Sequence, residues 1–444
     1  MAYCGYVITV KELRPHPNAD KLQLLGVFGT ETCVGLDVKL GDRGVYFPTD
    51  GQLSEEFCRV HDLVRRKDEN GNAAGGFLEP GKRNIKAIKL RGERSDGLYL
   101  PISCLEYTGA NLEDFADGDT ISIVNKHEIC QKYIPRSNKV ATVPNGNKAR
   151  KKKAKDEFPY FVEHIDTPQL RFNMSMFKEG DIICLTEKIH GTSSRHSLAL
   201  CKKKENIFTK LFGRKNKYKF VNGTRRTLIT DNSSGFYGTN EFRTKWGNKL
   251  KDKLYPGEEV FGEIAGFLEN GTPIMGKCNN KKTNDKEFLR KYGAETTFSY
   301  GCSPCGYDEE YWCNEQKMRE KPYNRFFIYR MTYTSPEGYV IEYPWDLVKR
   351  RAEEMGIETV PELDRFIYTT EEDFNNRINN WMNRSSTLDA THIIEGVVVR
   401  ALNATTFKVA KEKEYFFKIL EGIIKSEADT PDIEEVEEIL GKGI

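Results

Sequence analysis

No stretch of the chain approaches about 18 consecutive apolar residues, and the opening Met1-Ala2-Tyr3-Cys4-Gly5 lacks a charged segment leading into an apolar one. The first absence excludes a membrane-spanning helix, and the second argues against a secretory leader. An excess of charge of one sign is lacking too. Lysine and arginine number 68 against 66 aspartates and glutamates, a formal net charge of +2, so attraction to nucleic acid has to come from local clusters. The 11 cysteines are odd in number and scattered from Cys4 to Cys313, which makes no disulfide framework. These features lead to the expectation of a soluble cytoplasmic protein without a membrane partner; they do not fix its oligomeric state, for which a monomer is favoured.

A length of 444 residues suggests two domains, or at most three, and 38% hydrophobic residues suffice to build their cores. Residues 1–130 read as short strands at 6–10, 21–28, 33–38, 44–47 and 85–90, separated by turn formers such as Pro17-Asn18-Ala19-Asp20, Gly41-Asp42 and Glu79-Pro80-Gly81. That spacing predicts a small barrel or sandwich. Its basic residues Lys82, Arg83, Lys86, Lys89, Arg91 and Arg94 either line a groove that follows a nucleic-acid backbone or guard a strand edge. Residues 131–157 read as a basic linker, with six basic residues in the eight from Lys148 to Lys155.

Residues 158–425 mix strand patterns at 182–186, 259–265, 326–333, 393–400 and 405–411 with helical ones at 343–355, 371–382 and 415–424. Without a regular strand-helix alternation, the expected class is α+β with antiparallel sheets and flanking helices. Residues 426–444 form an acidic tail with a helical pattern at 431–440.

The apolar run Ile182-Ile183-Cys184-Leu185 leads into Thr186-Glu187-Lys188-Ile189-His190-Gly191-Thr192, which puts a lysine at a strand end before a glycine turn. Lysine, with a reference pKa of about 10.4, is a poor nucleophile at neutral pH. It becomes useful where other cations and partial burial favour the uncharged amine. Gly191, having no Cβ, would let the backbone approach a phosphate. Lys411 and Lys413, two apart and hence on one strand face, supply such cations.

Five further segments follow the lysine in order: Thr224-Arg225-Arg226-Thr227, Val260-Phe261-Gly262-Glu263-Ile264-Ala265-Gly266, Phe326-Phe327-Ile328-Tyr329-Arg330, Glu395-Gly396-Val397-Val398-Val399-Arg400 and Lys411-Glu412-Lys413. This series resembles the covalent nucleotidyltransferase superfamily of ligases and capping enzymes. The Glu-Lys-Ile-His-Gly-Thr form is similar to the nick-sealing, ATP-dependent RNA ligase branch. In the N-terminal region, Pro17-Asn18-Ala19-Asp20-Lys21-Leu22, Val45-Tyr46-Phe47-Pro48 and the stretch from Leu90 to Leu98 resemble OB-type modules of tRNA-binding proteins and of certain RNA ligases.

The resemblance implies an OB-like barrel followed by an adenylyltransferase domain that joins RNA 3′-hydroxyl and 5′-phosphate ends. Lys188 would attack the α-phosphorus of ATP and carry AMP, with Lys411, Lys413 and His190 assisting. Glu395 would organise Mg²⁺ or Mn²⁺. Glu263, on one strand face with Phe261, would take the ribose; Glu187 would contact the adenine edge and Tyr329 its face. Arg226 would bind phosphate, with Arg225 as the alternative and as an RNA contact beside Lys86, Lys89, Arg91 and Arg94. Three positions depart from relatives: His190 stands where DNA ligases and capping enzymes have Asp, Ser193 where some have Asn, and Arg330 where some have Asp. No OB-sized segment follows residue 425, which speaks against a DNA ligase or a guanylyltransferase. A non-catalytic RNA-binding protein is the remaining alternative. Cys302-Ser303-Pro304-Cys305, with Cys278 and Cys313, offers half of a zinc site and an irregular second half.

Overall fold

In the computed structural model the described residues are 3–67, 73–133, 157–161, 164, 166–201, 217–230, 232, 236–308, 319–426 and 429–430. Most of the basic linker, Cys313 and the 431–440 helix pattern lie outside them. Backbone contacts divide the chain into a unit of Met1–Lys139, Lys282–Asn284 and Lys418–Ile444 and a unit of Val140–Lys281 and Asp285–Phe417. No helix among the described residues is long and apolar enough to cross a membrane.

In the first unit, strands Leu98–Pro101, Arg43–Phe47, Gly5–Thr9 and Thr120–Ile121 form an antiparallel sheet in that order. Leu13–Pro15, Leu22–Val27 and Thr30–Gly35 form a second sheet. Val7, Val45 and Phe47 of the first sheet pack with Leu53, Phe57 and Leu105 in a buried core. The helix Glu55–Val60 contributes Phe57 and starts where the Ser54 side chain accepts from the Phe57 N–H. The ladders do not join into one closed barrel, and the expected strand at 85–90 pairs only over Ile88–Leu90. Residues 85–87 instead run as a loop, with the Ile85 N–H donating to Gly51 O.

Beside a two-stranded ladder of Cys278–Asn279 and Glu295–Thr296, the second unit holds two larger, mostly antiparallel sheets. One runs Glu362–Ile367, Ile182–Glu187, Gly396–Ala401, Val409–Lys413. The other runs Tyr218–Gly223, Thr192–Leu200, Glu258–Gly266, Asn324–Thr334, Val340–Glu342, with Glu358–Thr359 parallel to Asn324–Thr334. Residues Lys188 to Gly191 carry the chain from the first sheet to the second.

Alternation along the strands decides what the first sheet offers. Ile183, Leu185, Val397, Val399 and Ala410 enter a core closed by Phe374 and Ile378 of the helix Glu371–Asn379. Each fully buried aliphatic there is worth about 2 kcal/mol. Thr186, Val398, Arg400, Val409 and Lys411, on the opposite face, line a cleft.

Strand Thr192–Leu200 was not expected from its sequence, because it is polar on both faces: Ser194, Arg195 and His196 are all buried. Each finds a partner on a neighbouring strand or within its own. Arg195 pairs with Glu259 at 3.0 Å, Ser194 Oγ lies 3.0 Å from His196 Nε2, and His196 Nδ1 lies 2.7 Å from Asn222 Oδ1. The strand expected at 405–411 begins only at Val409.

Candidate active site

Lys188 leaves the end of strand Ile182–Glu187, its own N–H donating to Gly396 O at 2.9 Å. Its Nζ lies 2.7 Å from Glu395 Oε1, and Lys413 Nζ lies 3.2 Å from that same oxygen. Glu395 is 2% exposed, so two lysines share one buried carboxylate. Burial pushes the Glu395 pKa up, but Lys188, His190 and Lys413 outweigh it and hold the carboxyl well below the usual range.

Gly396 fixes that carboxylate. Its φ is +147°, and a Cβ there would sit 2.1 Å from Glu412 O. His190 is clamped between the edges of Phe298 and Phe417, with ring centroids at 4.7 and 4.8 Å. The His190 N–H donates to Tyr300 Oη at 2.7 Å, and Nδ1 lies 3.7 Å from Glu395 Oε2.

The cleft beside Lys188 is further lined by His164, Ser193, Arg225, Glu263, Tyr329, Arg330 and Phe407. Burial raises the Glu263 pKa to about 7, with Lys188 opposing and Glu395 adding to the rise. Burial lowers that of Lys411 to about 8, and the charges of Lys188 and Lys413 act in the same direction. His164 is pushed down to about 3, first by burial and then by Arg225 and Arg330, so it is neutral and polar at the cleft wall. No sequence motif marks His164; its edge-to-face contact with Tyr329, at 5.4 Å, joins residues far apart in the chain.

Of the residues expected at a nucleotide site, Lys188, Glu187, Glu263, Tyr329 and Lys411 do line one cleft, and Glu395 and Lys413 adjoin it through Lys188. Four positions differ from expectation. Glu187 spends its carboxylate on Ser386 Oγ, on Thr387 Oγ1 and on the Thr387 N–H at 3.0 Å, so the side chain expected at an adenine edge is already engaged. Phe261 is wholly buried under Arg330 and His164, at 4.5 and 6.0 Å, and does not reach the cleft. Gly191 is needed for a different close approach: a Cβ would stand 2.3 Å from Ile264 O on the neighbouring strand. Arg226 is 66% exposed and outside the cleft, whereas Arg225 lines it; both pair with Asp166.

Gly191→Ala is therefore expected to push two strands apart and to lower stability by about 1–3 kcal/mol, read by thermal unfolding. An unchanged melting temperature would mean that this contact carries no load.

In the first unit, Lys82 and Lys86 both pair with Glu79, at 2.6 and 3.0 Å, and Arg94 with Asp96 at 2.8 Å. Arg83 donates to Leu53 O at 3.2 Å, and Arg91 approaches Asn18 O at 3.4 Å. Lys89 lies opposite Arg94 in the ribbon of Ile88–Leu90 and Glu93–Ser95. Lys89 and Arg94 are thus neighbours, and Lys82, Lys86 and Arg94 are partly neutralised by carboxylates.

Among the described residues, no three His, Cys, Asp or Glu side chains converge as a metal site. A hard divalent ion could still use Glu395 with water and substrate oxygens. Glu395 suits that role because its Oε2 is buried without a hydrogen-bond partner. Among the described residues the cysteines form no metal cluster: Cys302 Sγ faces Ala265 O at 3.9 Å, and Cys305 Sγ faces Tyr307 O at 3.3 Å.

A model of the RNA ligase family matches residues 181–420, more than half of the chain and all of the cleft's sheet strands from Ile182–Glu187 to Val409–Lys413. No curated protein matches the sequence. Solved structures match along most of it. A lysine-to-alanine mutant of the Naegleria gruberi RNA ligase with ATP and Mn is 16% identical with a TM-score of 0.52, covering 94% of this chain and 98% of that one. The Naegleria gruberi enzyme with PPi is 17% identical with a TM-score of 0.51, covering 92% and 96%. A lysine-to-methionine mutant with AMP and Mn is 16% identical with a TM-score of 0.51, covering 92% and 96%. At such identities the likeness speaks to the fold.

Proposed function

The chain belongs to the RNA ligase family, and from that premise we propose that it seals RNA 3′-hydroxyl to 5′-phosphate ends through an AMP carried on Lys188, with ATP as donor. The observation that carries this reading is the Lys188 amine 2.7 Å from buried Glu395, with Lys413 on the same carboxylate oxygen and Lys411 in the adjoining cleft. ATP and Mn in the Naegleria gruberi complexes support the choice of donor and of a divalent ion.

Three nucleotidyl transfers follow. The free amine of Lys188 attacks the α-phosphorus of ATP, a phosphoramidate forms and pyrophosphate leaves. The Lys188 amine, 2.7 Å from Glu395, has to leave that carboxylate before it attacks. Lys411 and Arg225 line the cleft where they can neutralise and orient the phosphates. The RNA 5′-phosphate then takes AMP from Lys188, and the RNA 3′-hydroxyl displaces AMP to leave the phosphodiester. Mg²⁺ or Mn²⁺ held by Glu395 would supply further charge neutralisation on the phosphates. Glu263, with Ser193 Oγ donating to it at 3.3 Å, is placed for ribose hydroxyls, and Tyr329 for the base.

The assignment extends to the nick-sealing branch, to residues 1–130 as an OB-like RNA-holding domain, to 131–157 as linker, to 158–425 as the adenylyltransferase domain and to 426–444 as an acidic tail, in a cytoplasmic protein. Nicked duplexes test it: a nick with an RNA 3′-hydroxyl strand should be sealed with ATP. A preference for DNA 3′ ends, or labelling by GTP in place of ATP, would overturn the reading.

The lowered Lys411 pKa adds a pH dependence. The folded value of about 8 lies below the ordinary 10.5, so the lysine loses its charge as pH rises through 8. The kcat/KM for ATP, which reports free enzyme, is expected to fall on that limb. Lys411→Arg, which keeps its charge, should remove the fall; persistence of the same limb in that variant would assign it elsewhere.

A further inference from the structure

The inner end of the cleft, away from Lys188, is walled by two arginines, of which only Arg330 is paired with a carboxylate. Arg400 is 7% exposed, its guanidinium lies 4.6 Å over the Trp345 ring, and its Nε is buried without a hydrogen-bond partner. Among the described residues it has no ion pair. Arg330, 3% exposed, gives Nε and one terminal nitrogen to Glu342, but its Nη1 is buried and unpartnered. Both arginines line the cleft and also an adjoining cavity of about 450 Å³, together with Tyr329, Phe407 and Val409.

Two guanidinium groups against one carboxylate leave a buried positive charge uncompensated. Aromatic faces offset part of that cost: Trp345 for Arg400, and Phe261 and Phe407 for Arg330 at 4.5 and 5.1 Å. They do not accept the remaining N–H groups in the plane of each guanidinium. A buried cation that no described residue pairs with is costly to keep, and burial accordingly pushes the Arg400 pKa down to about 10. An anion entering the cavity would remove that cost and meet donors in the forked geometry that suits paired oxygens.

We propose that Arg400 and Arg330 form an anion subsite for a phosphate-class oxyanion, distinct from the cluster of Lys188, Lys411 and Lys413. The separation follows from the strand itself. Arg400 stands five residues beyond Glu395, the partner of Lys188 and Lys413, about 17 Å at the usual rise per residue, and opposite Val409, two residues from Lys411 on the next strand. The subsite does not depend on Lys188 carrying AMP, so loss of one reading leaves the other intact. Its anion comes either as free phosphate or as a phosphate on an RNA strand.

Calorimetric titration of the full chain with inorganic phosphate, and separately with a 5′-phosphorylated RNA trinucleotide, tests this. Arg400→Met keeps a side chain over Trp345 and removes the charge. It should weaken phosphate binding about tenfold or more, while Lys411→Met changes it less than about twofold. If only the trinucleotide shows the Arg400→Met loss, the anion is the RNA-borne one. Without added anion, Arg400→Met should melt no lower than the parent protein. Should it fail to fold, Arg330→Met gives the same titration test. Unchanged affinity for both ligands in the arginine variants, or a loss that follows Lys411 instead, would overturn the subsite.

Discussion

Lys188→Ala should abolish transfer of label from α-labelled ATP to the protein, a loss of roughly a thousandfold or more, as expected when the attacking group itself is removed. The fold should survive. Lys188 is 23% exposed, and Glu395 keeps Lys413 at 3.2 Å after the change, so the stability loss should stay near 1 kcal/mol. Lys188→Arg separates charge from nucleophilicity. The guanidinium restores an ion pair with Glu395 but stays protonated at any working pH, so this variant should be equally silent in labelling. An RNA supplied with AMP already on its 5′ end bypasses the lysine, and both variants should still seal it. Residual labelling in Lys188→Ala at more than a few per cent would remove this lysine from the chemistry.

Glu395→Ala is the second large effect, and it acts on activity and stability together. The substitution strips the anion from Lys188 and Lys413 and from the neighbourhood of His190, leaving cations at a buried position. Stability should fall by about 2–4 kcal/mol, measured by urea unfolding. Labelling should fall about a hundredfold or more, since Lys188 loses its anchor and the divalent ion its carboxylate. Glu395→Gln keeps the shape and removes the charge, so it should recover part of the stability and little of the labelling. Full labelling in Glu395→Gln would show that the charge has no role.

The parts of this site that could be read from sequence are those set by local pattern. An apolar run ending at Lys188, the two-residue spacing of Lys411 and Lys413, and Glu395 ahead of Gly396-Val397-Val398-Val399 each fix a side chain on a strand face. What escaped depends on long-range pairing. Ser386 and Thr387 bind the Glu187 carboxylate from the far end of the unit, and no local signal announces that. Phe261 and Glu263 looked equivalent by alternation, but the pairing with Asn324–Thr334 slips between Phe261 and Gly262, and His164 and Arg330 cover the ring. Thr192–Leu200 escaped because its buried polar groups are satisfied by Glu259 and Asn222, which only the folded sheet brings near. In the first unit the strands were legible from their turns, while the joining of ladders into a barrel depends on pairings that a sequence does not display.

The account rests on one covalent bond. Incubation with ATP and Mg²⁺ or Mn²⁺, followed by acid quench at low temperature, proteolysis and tandem mass spectrometry, locates the residue that carries AMP. The account predicts the adduct on the peptide containing Lys188 and nowhere else. An adduct on Lys411 or Lys413, or none under conditions in which RNA ends are joined, would contradict it.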